Sequence, residues 1–215
     1  MRTSGSSNLL YSLGRKLLGT LGRQTENRSR HFMLAYVILV SEEVHNYMRR
    51  LQVGILQKYG ADREIQISPH ITLKQGFAAR DLDPLERYFD KLAAEIEPFE
   101  ITVRNIGFFD DGVIFMDVAQ NRPLDSLRRR VLQDLSSEFG VRPGELEDDR
   151  YHFHATLAHG LSPDSFERAR QELQGVQVEF RFVCDTLALL YNTGGAWITY
   201  KRSAVGAAKP RPARR

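Results

Sequence analysis

The sequence predicts an α+β protein of two pseudo-symmetric lobes, each a mainly antiparallel sheet with helices on one face, and an active-site cleft between them. Three observations predict it. The tetrapeptide His70-Ile71-Thr72-Leu73 returns eighty-four positions later as His154-Ala155-Thr156-Leu157, and a glycine follows each copy at the same offset, Gly76 and Gly160. The order of strand and helix signals around the first copy repeats around the second. Each half also carries a hairpin signal, Asp110-Asp111-Gly112 in one and Asn192-Thr193-Gly194-Gly195 in the other.

Taken in order, Phe32–Val40 is apolar and β-rich, and Ser41 is placed to cap the next helix. Val44, Tyr47, Met48, Leu51 and Ile55 recur at helical spacing until Gly60. A strand over Ile65–Lys74 carries the first His-x-Thr-Leu. Asp83-Pro84 opens a second helix, to about Ile96, with proline in its first turn. Strands Phe99–Phe108 and Val113–Val118 flank the first hairpin turn. A third helix covers Leu124–Phe139, and a polar loop leads to the strand Tyr151–Ala158 with the second His-x-Thr-Leu. Ser162-Pro163 starts a fourth helix, to about Leu173, and strands Val176–Leu190 and Ala196–Tyr200 close the chain. The expected domain is 31–202, with lobe halves at roughly 31–112 and 113–202, and Val113–Val118 able to end one half and begin the other.

Charge sits at the ends. Residues 1–30 carry six Lys/Arg and one acid, residues 203–215 four Lys/Arg and none, so with the whole chain at +3 the body 31–202 is left at −6. A polycationic body that grips nucleic acid by charge alone is thereby excluded, while a local phosphate site is not. Residues 1–30, with leucines at 9, 10, 13, 17, 18 and 21, read as a basic disordered extension or as an organelle-targeting amphipathic helix. Residues 203–215 read as a basic disordered tail. No apolar run reaches the eighteen residues of a membrane span. Cys184 is the single cysteine, in keeping with a reducing, cytoplasmic compartment and a buried thiol. A monomer is expected.

Residues two apart on a strand share a face, so His70 pairs with Thr72 and His154 with Thr156, while Ile71, Leu73, Ala155 and Leu157 face a core. Two imidazoles suit a phosphodiester held between two strands. One takes a proton from the attacking water and the other protonates the departing oxygen, both near neutral pH. The threonine hydroxyls donate to the non-bridging oxygens as their charge rises. This cradle requires neither metal nor cofactor, and none is expected. His152, His154 and His159 raise the alternative of a metal site, but His159 has odd parity and no acid or cysteine stands at ligand spacing.

The two His-x-Thr-Leu motifs on a duplicated α+β chain resemble the two-histidine (2H) phosphoesterase superfamily, within it the LigT-like branch often labelled 2′-5′ RNA ligase. The resemblance covers roughly residues 32–202. It implies a metal-independent phosphoesterase acting on 2′,3′-cyclic phosphates, 2′-5′ linkages or ADP-ribose cyclic phosphates, with an RNA end or small nucleotide as substrate. It also implies His154 as base and His70 as acid, and pseudo-symmetry leaves the reverse open. Tyr36 sits where relatives often have a cleft-facing aromatic, with a core tyrosine as the other reading. Lys74 follows Thr72 by two and would meet phosphate, or end the strand in solvent. Tyr191 and Asn192 would border the cleft at the second hairpin. Tyr151 falls on the opposite face from His154, and Arg150 has no spacing argument. Two further functions stay open: a nucleotide- or RNA-binding module with little turnover, and a reversible 2′-5′ RNA ligase.

Overall fold

The computed structural model describes residues 32–147 and 151–206. Within them the chain runs β1 (Phe32–Leu39), α1 (Glu42–Tyr59), β2 (His70–Ala79), α2 (Leu82–Glu95), β3 (Phe99–Phe109), β4 (Val113–Val118), α3 (Arg122–Phe139), β5 (His154–Ala158), α4 (Pro163–Leu173), β6 (Glu179–Cys184), β7 (Thr186–Asn192) and β8 (Trp197–Ala204). The strands form two antiparallel four-stranded sheets, ordered β2-β1-β7-β8 and β5-β4-β3-β6. Each His-x-Thr strand is therefore the edge of its own sheet, and β2 and β5 run near one another.

The helices start where the polar residues allow. Ser41 Oγ accepts the Val44 N–H at α1, Asn121 Oδ1 the Leu124 N–H at α3, and Ser162 Oγ the Ser165 N–H at α4. One face of each sheet packs on helices. Tyr36, buried on β1, meets Tyr88 and Phe89 of α2, and Tyr88 in turn meets Phe139 of α3. On the other sheet, Tyr47 of α1 packs on Phe180 of β6, and Phe166 of α4 on Phe108 of β3. Each sheet is thus covered by one helix from each half of the sequence. The other face of the first sheet carries a small apolar cluster of Ala35, Val37, Ala188 and Leu190, with Trp197, Leu39 and Ile67 packed on it.

The halves interleave, which corrects the expected division. A cut between 112 and 113 falls in the β3–β4 turn, whose short connection keeps both strands in one sheet. The first sheet is instead completed by β7 and β8 from the end of the chain. The expected single strand Val176–Leu190 breaks at Asp185: β6 pairs with β3 in one sheet and β7 with β1 in the other. The strand expected from Ile65 begins only at His70. Residues Arg63–Gln66 form a 3₁₀ turn, because Arg49 of α1 claims the carbonyls of Glu64, Ile65 and Ile67. The second motif strand likewise starts at His154 rather than Tyr151. β8 continues into the region expected as a tail, and the Val205 N–H bonds the Asp185 carbonyl. The expectations for residues 1–30, for most of 203–215 and for Arg150 lie outside the described residues. Among those described, no helix is long and apolar enough to cross a membrane.

Candidate active site

The motif parity holds over its first four residues. His70 and Thr72 are partly exposed and Ile71 and Leu73 buried, and His154, Ala155, Thr156 and Leu157 repeat that pattern. His70, Thr72 and Thr156 line one cleft of about 570 Å³. His154 stands on the same face as Thr156, edge-on to the Phe109 ring and tilted against Phe115.

The two histidines are held alike. His70 Nδ1 lies 2.8 Å from the Ser68 carbonyl and His154 Nδ1 2.7 Å from the His152 carbonyl, in each case two residues upstream. A carbonyl only accepts, so in the neutral ring Nδ1 carries the proton and Nε2 keeps its lone pair. Burial lowers the pKa of both imidazoles below the ordinary 6.5, against the opposing pull of those carbonyls. His154 is further lowered by the like charges of His152 and His70.

Beyond the leucine the strands depart from simple alternation, at the same place in both copies. Tyr36 pairs with Lys74 but Val37 with Thr72, and Ile114 pairs with Ala158 but Phe115 with Thr156. Each motif strand has one extra residue at its leucine, a bulge that reverses the facing of the residues after it. Lys74 and Ala158 consequently turn into the core, while Gln75 and His159 line the cleft.

This bulge corrects the expectation for Lys74. It is 2% exposed, and its ammonium pairs with the equally buried Glu147 from the loop after α3. Glu147 also accepts the N–H groups of Gln75 and Gly144, each at 2.7 Å. Lys74 therefore anchors the loop to β2 from behind and does not reach the cleft. Tyr36 is corrected too. Strand alternation puts Ala35 on the cleft side and Tyr36 in the core, with its hydroxyl donating to the Leu85 carbonyl. Tyr191 points away from the cleft towards Phe32 and Tyr200, whereas Asn192 lines it.

Arg63, Glu64, Gln66, Gln75, His159 and Trp197 also line the cleft, and sequence reasoning placed none of them there. Gln75 and His159 had a signal, since both stand five residues after a motif histidine. Arg63, Glu64 and Trp197 had none, because they lie outside the two His-x-Thr-Leu strands. Glu64 is 8% exposed and its carboxylate lies 2.6 Å from His159 Nδ1. His152, a candidate metal ligand by its spacing, pairs with Asp117 at 2.8 Å. Among the described residues no group of three or more His, Cys, Asp or Glu is placed around a common point.

The carbonyl of each motif threonine accepts a hydrogen bond from a buried side chain of another segment. The Tyr151 hydroxyl, beside the second motif, donates to the Thr72 carbonyl at 3.2 Å, and its burial, which raises its pKa to about 12, keeps it a donor. Gln52 of α1 donates to the Thr156 carbonyl at 3.2 Å, while Arg49 donates to its side-chain oxygen. Tyr151→Phe keeps the ring under the Arg128 guanidinium and removes only the bond to Thr72. It should lower stability by about 1–3 kcal/mol in urea denaturation, the cost of a buried acceptor left short of a donor.

A family model described as the 2′-5′ RNA ligase superfamily matches residues 40–196. A protein of Oceanobacillus iheyensis with a provisional phosphoesterase name is 26% identical over 163 residues, spanning 72% of this chain and 90% of that protein. A Geobacillus protein named in the same way is 28% identical over 149 residues, 65% of this chain and 80% of its own. Among solved structures, TT0787 of Thermus thermophilus aligns with a TM-score of 0.57 at 16% identity, covering 82% of this chain and all of that one. LigT of Escherichia coli in apo form aligns at 0.56 and 18% identity, covering 82% and 98%. LigT has also been crystallised with 3′-AMP. These structural likenesses fit the two-sheet α+β fold.

Proposed function

The chain belongs to the 2′-5′ RNA ligase superfamily, and from that premise we propose that it is a metal-independent phosphoesterase of 2′,3′-cyclic phosphate or 2′-5′ phosphodiester bonds in RNA or nucleotides. The observation that carries the reading is the matched pair of histidines, each with Nδ1 on a carbonyl two residues upstream. Structural histidines have no need of identical tautomer control on two duplicated strands. General acid–base chemistry does, because each Nε2 must be free to take or give a proton.

In the proposed reaction one neutral Nε2 removes a proton from water as the oxygen attacks phosphorus. The other ring, protonated, donates to the ribose oxygen leaving on the opposite side. Thr72 and Thr156 donate hydrogen bonds to the non-bridging oxygens, whose charge grows on the way to the transition state. The resemblance favours His154 as base and His70 as acid. Ala35 and Leu190 line the cleft beside Trp197, an apolar surface that suits the flat, uncharged parts of a nucleotide. That LigT has been crystallised with 3′-AMP supports a nucleotide-sized ligand.

The test is to incubate the protein, with EDTA present, with nucleoside 2′,3′-cyclic phosphates, 2′-5′ dinucleotides and ADP-ribose cyclic phosphate, and to identify products by mass and by phosphate position. Turnover that persists in EDTA is expected on at least one of them. Activity that vanishes in EDTA and returns with a divalent ion contradicts the mechanism, and binding without turnover on the whole panel favours the binding-module alternative.

A further inference from the structure

The two motif glycines break the symmetry of the cleft. Each supports a large side chain from outside the motif strands, and the two are chemically unlike. A Cβ on Gly76 would lie 3.0 Å from the indole of Trp197, and one on Gly160 3.5 Å from the guanidinium of Arg63. Gly160 has φ +73, a conformation side chains rarely adopt, so that bed for Arg63 stays open. One end of a pseudo-symmetric cleft is therefore aromatic and the other cationic.

Arg63 is the single Lys or Arg that lines the cleft among the described residues. Its neighbour Glu64 turns inward to His159, and no ion pair to Arg63 occurs among the described residues. The 3₁₀ turn that carries Arg63 is fixed from below, where the Arg49 guanidinium bonds the carbonyls of Glu64, Ile65 and Ile67. Two arginines thus divide the work: Arg49 holds the turn and Arg63 presents a permanent positive charge over Gly160. A guanidinium carried on a fixed turn, with no carboxylate partner among the described residues, suits a phosphate.

Resting on the phosphoesterase reading of this cleft, we infer that Arg63 binds a second phosphate of the substrate, one that does not react. The substrate class is then a nucleotide or oligonucleotide end with a phosphate beyond the reacting group, in preference to a simple nucleoside cyclic phosphate. In a ribose the 2′,3′ edge lies opposite the ring oxygen, and the base and the 5′ carbon leave from its two flanks. With the 2′,3′ edge at the histidines, a 5′-linked phosphate is carried to one side of them, away from the base. The uncharged Trp197 end and the charged Arg63 end would fix which way round the substrate lies.

The test is equilibrium binding to the full chain by calorimetry, with adenosine 3′,5′-bisphosphate and adenosine 3′-monophosphate as probes. The wild type is expected to prefer the bisphosphate by about tenfold or more, the scale of one partly exposed charge-assisted contact. Arg63→Ala should bring the ratio of the two dissociation constants close to one, and Arg63→Lys should restore part of it. Equal affinities in the wild type, or a preference that survives Arg63→Ala, would overturn the inference. Turnover plays no part in this measurement. A chain that hydrolyses nothing yet shows the Arg63-dependent ratio would defeat the proposed activity and leave the subsite standing.

Discussion

His70→Ala and His154→Ala are each expected to lower the rate on a cyclic phosphate substrate by on the order of 10²–10⁴-fold, the usual worth of a positioned acid or base. The double substitution should cost much less than the product of the two, because one ring without its opposite cannot complete the proton traffic. Both side chains are partly exposed at the ends of β2 and β5, outside the main core. Folding should survive, and circular dichroism of each variant would check that before rates are compared. Full additivity would mean that the rings act on separate steps and would count against a shared site. Thr72→Val and Thr156→Val should show smaller losses, since each removes one hydroxyl donor and leaves the proton transfer in place.

The largest effect on stability is expected at Glu147. Its carboxylate is 1% exposed, pairs with an ammonium 3% exposed, and accepts two backbone N–H groups. Glu147→Ala leaves the Lys74 charge buried without its partner and two amides without an acceptor. A loss of about 3–5 kcal/mol is expected in urea denaturation, as for other broken buried pairs. Lys74→Met combined with Glu147→Ala should be more stable than Glu147→Ala alone, because no uncompensated charge then remains inside. If Glu147→Ala costs less than about 1 kcal/mol, water reaches the pair and it is not the anchor of the loop. Because the same carboxylate holds the Gln75 amide at the bulge, substrate binding should weaken in the single variant even where it is folded.

Much of this was legible in the sequence, for identifiable reasons. The twin motifs, the helix caps at Ser41 and Ser162 and the turn at Asp110-Asp111-Gly112 are local signals, and local signals set local structure. Simple alternation along β2 and β5 was enough to put each histidine with its threonine. It failed at the leucines, where an inserted residue reverses the facing, and so Lys74 was assigned to the cleft and His159 kept out of it. No residue type marks such a bulge, and it becomes visible only in the register with β1 and β4. Tyr36 and Tyr191 differ from Lys74: alternation along β1 and β7 gives the cleft Ala35 and Asn192 and turns both tyrosines to the other face. Which face meets the cleft follows from the pairing of β7 with β1 across the two halves of the sequence. The interleaving of halves at Asp185 is likewise a matter of tertiary pairing. Arg63 and Trp197 meet the motif glycines only in the folded chain.

The pH dependence of kcat/KM on a cyclic phosphate substrate, measured in EDTA, tests the central claim most directly. The reactive form has one imidazole neutral and the other protonated. Below both pKa values no base is left, and above both no acid is left, so the profile should be bell-shaped. Burial lowers both histidines below 6.5 in the free protein, which places the optimum on the acid side of that value. A bell with its maximum below 6.5, reduced to residual activity by either alanine substitution, is the predicted result. A profile with a single limb, or one that needs an added divalent ion, would contradict it.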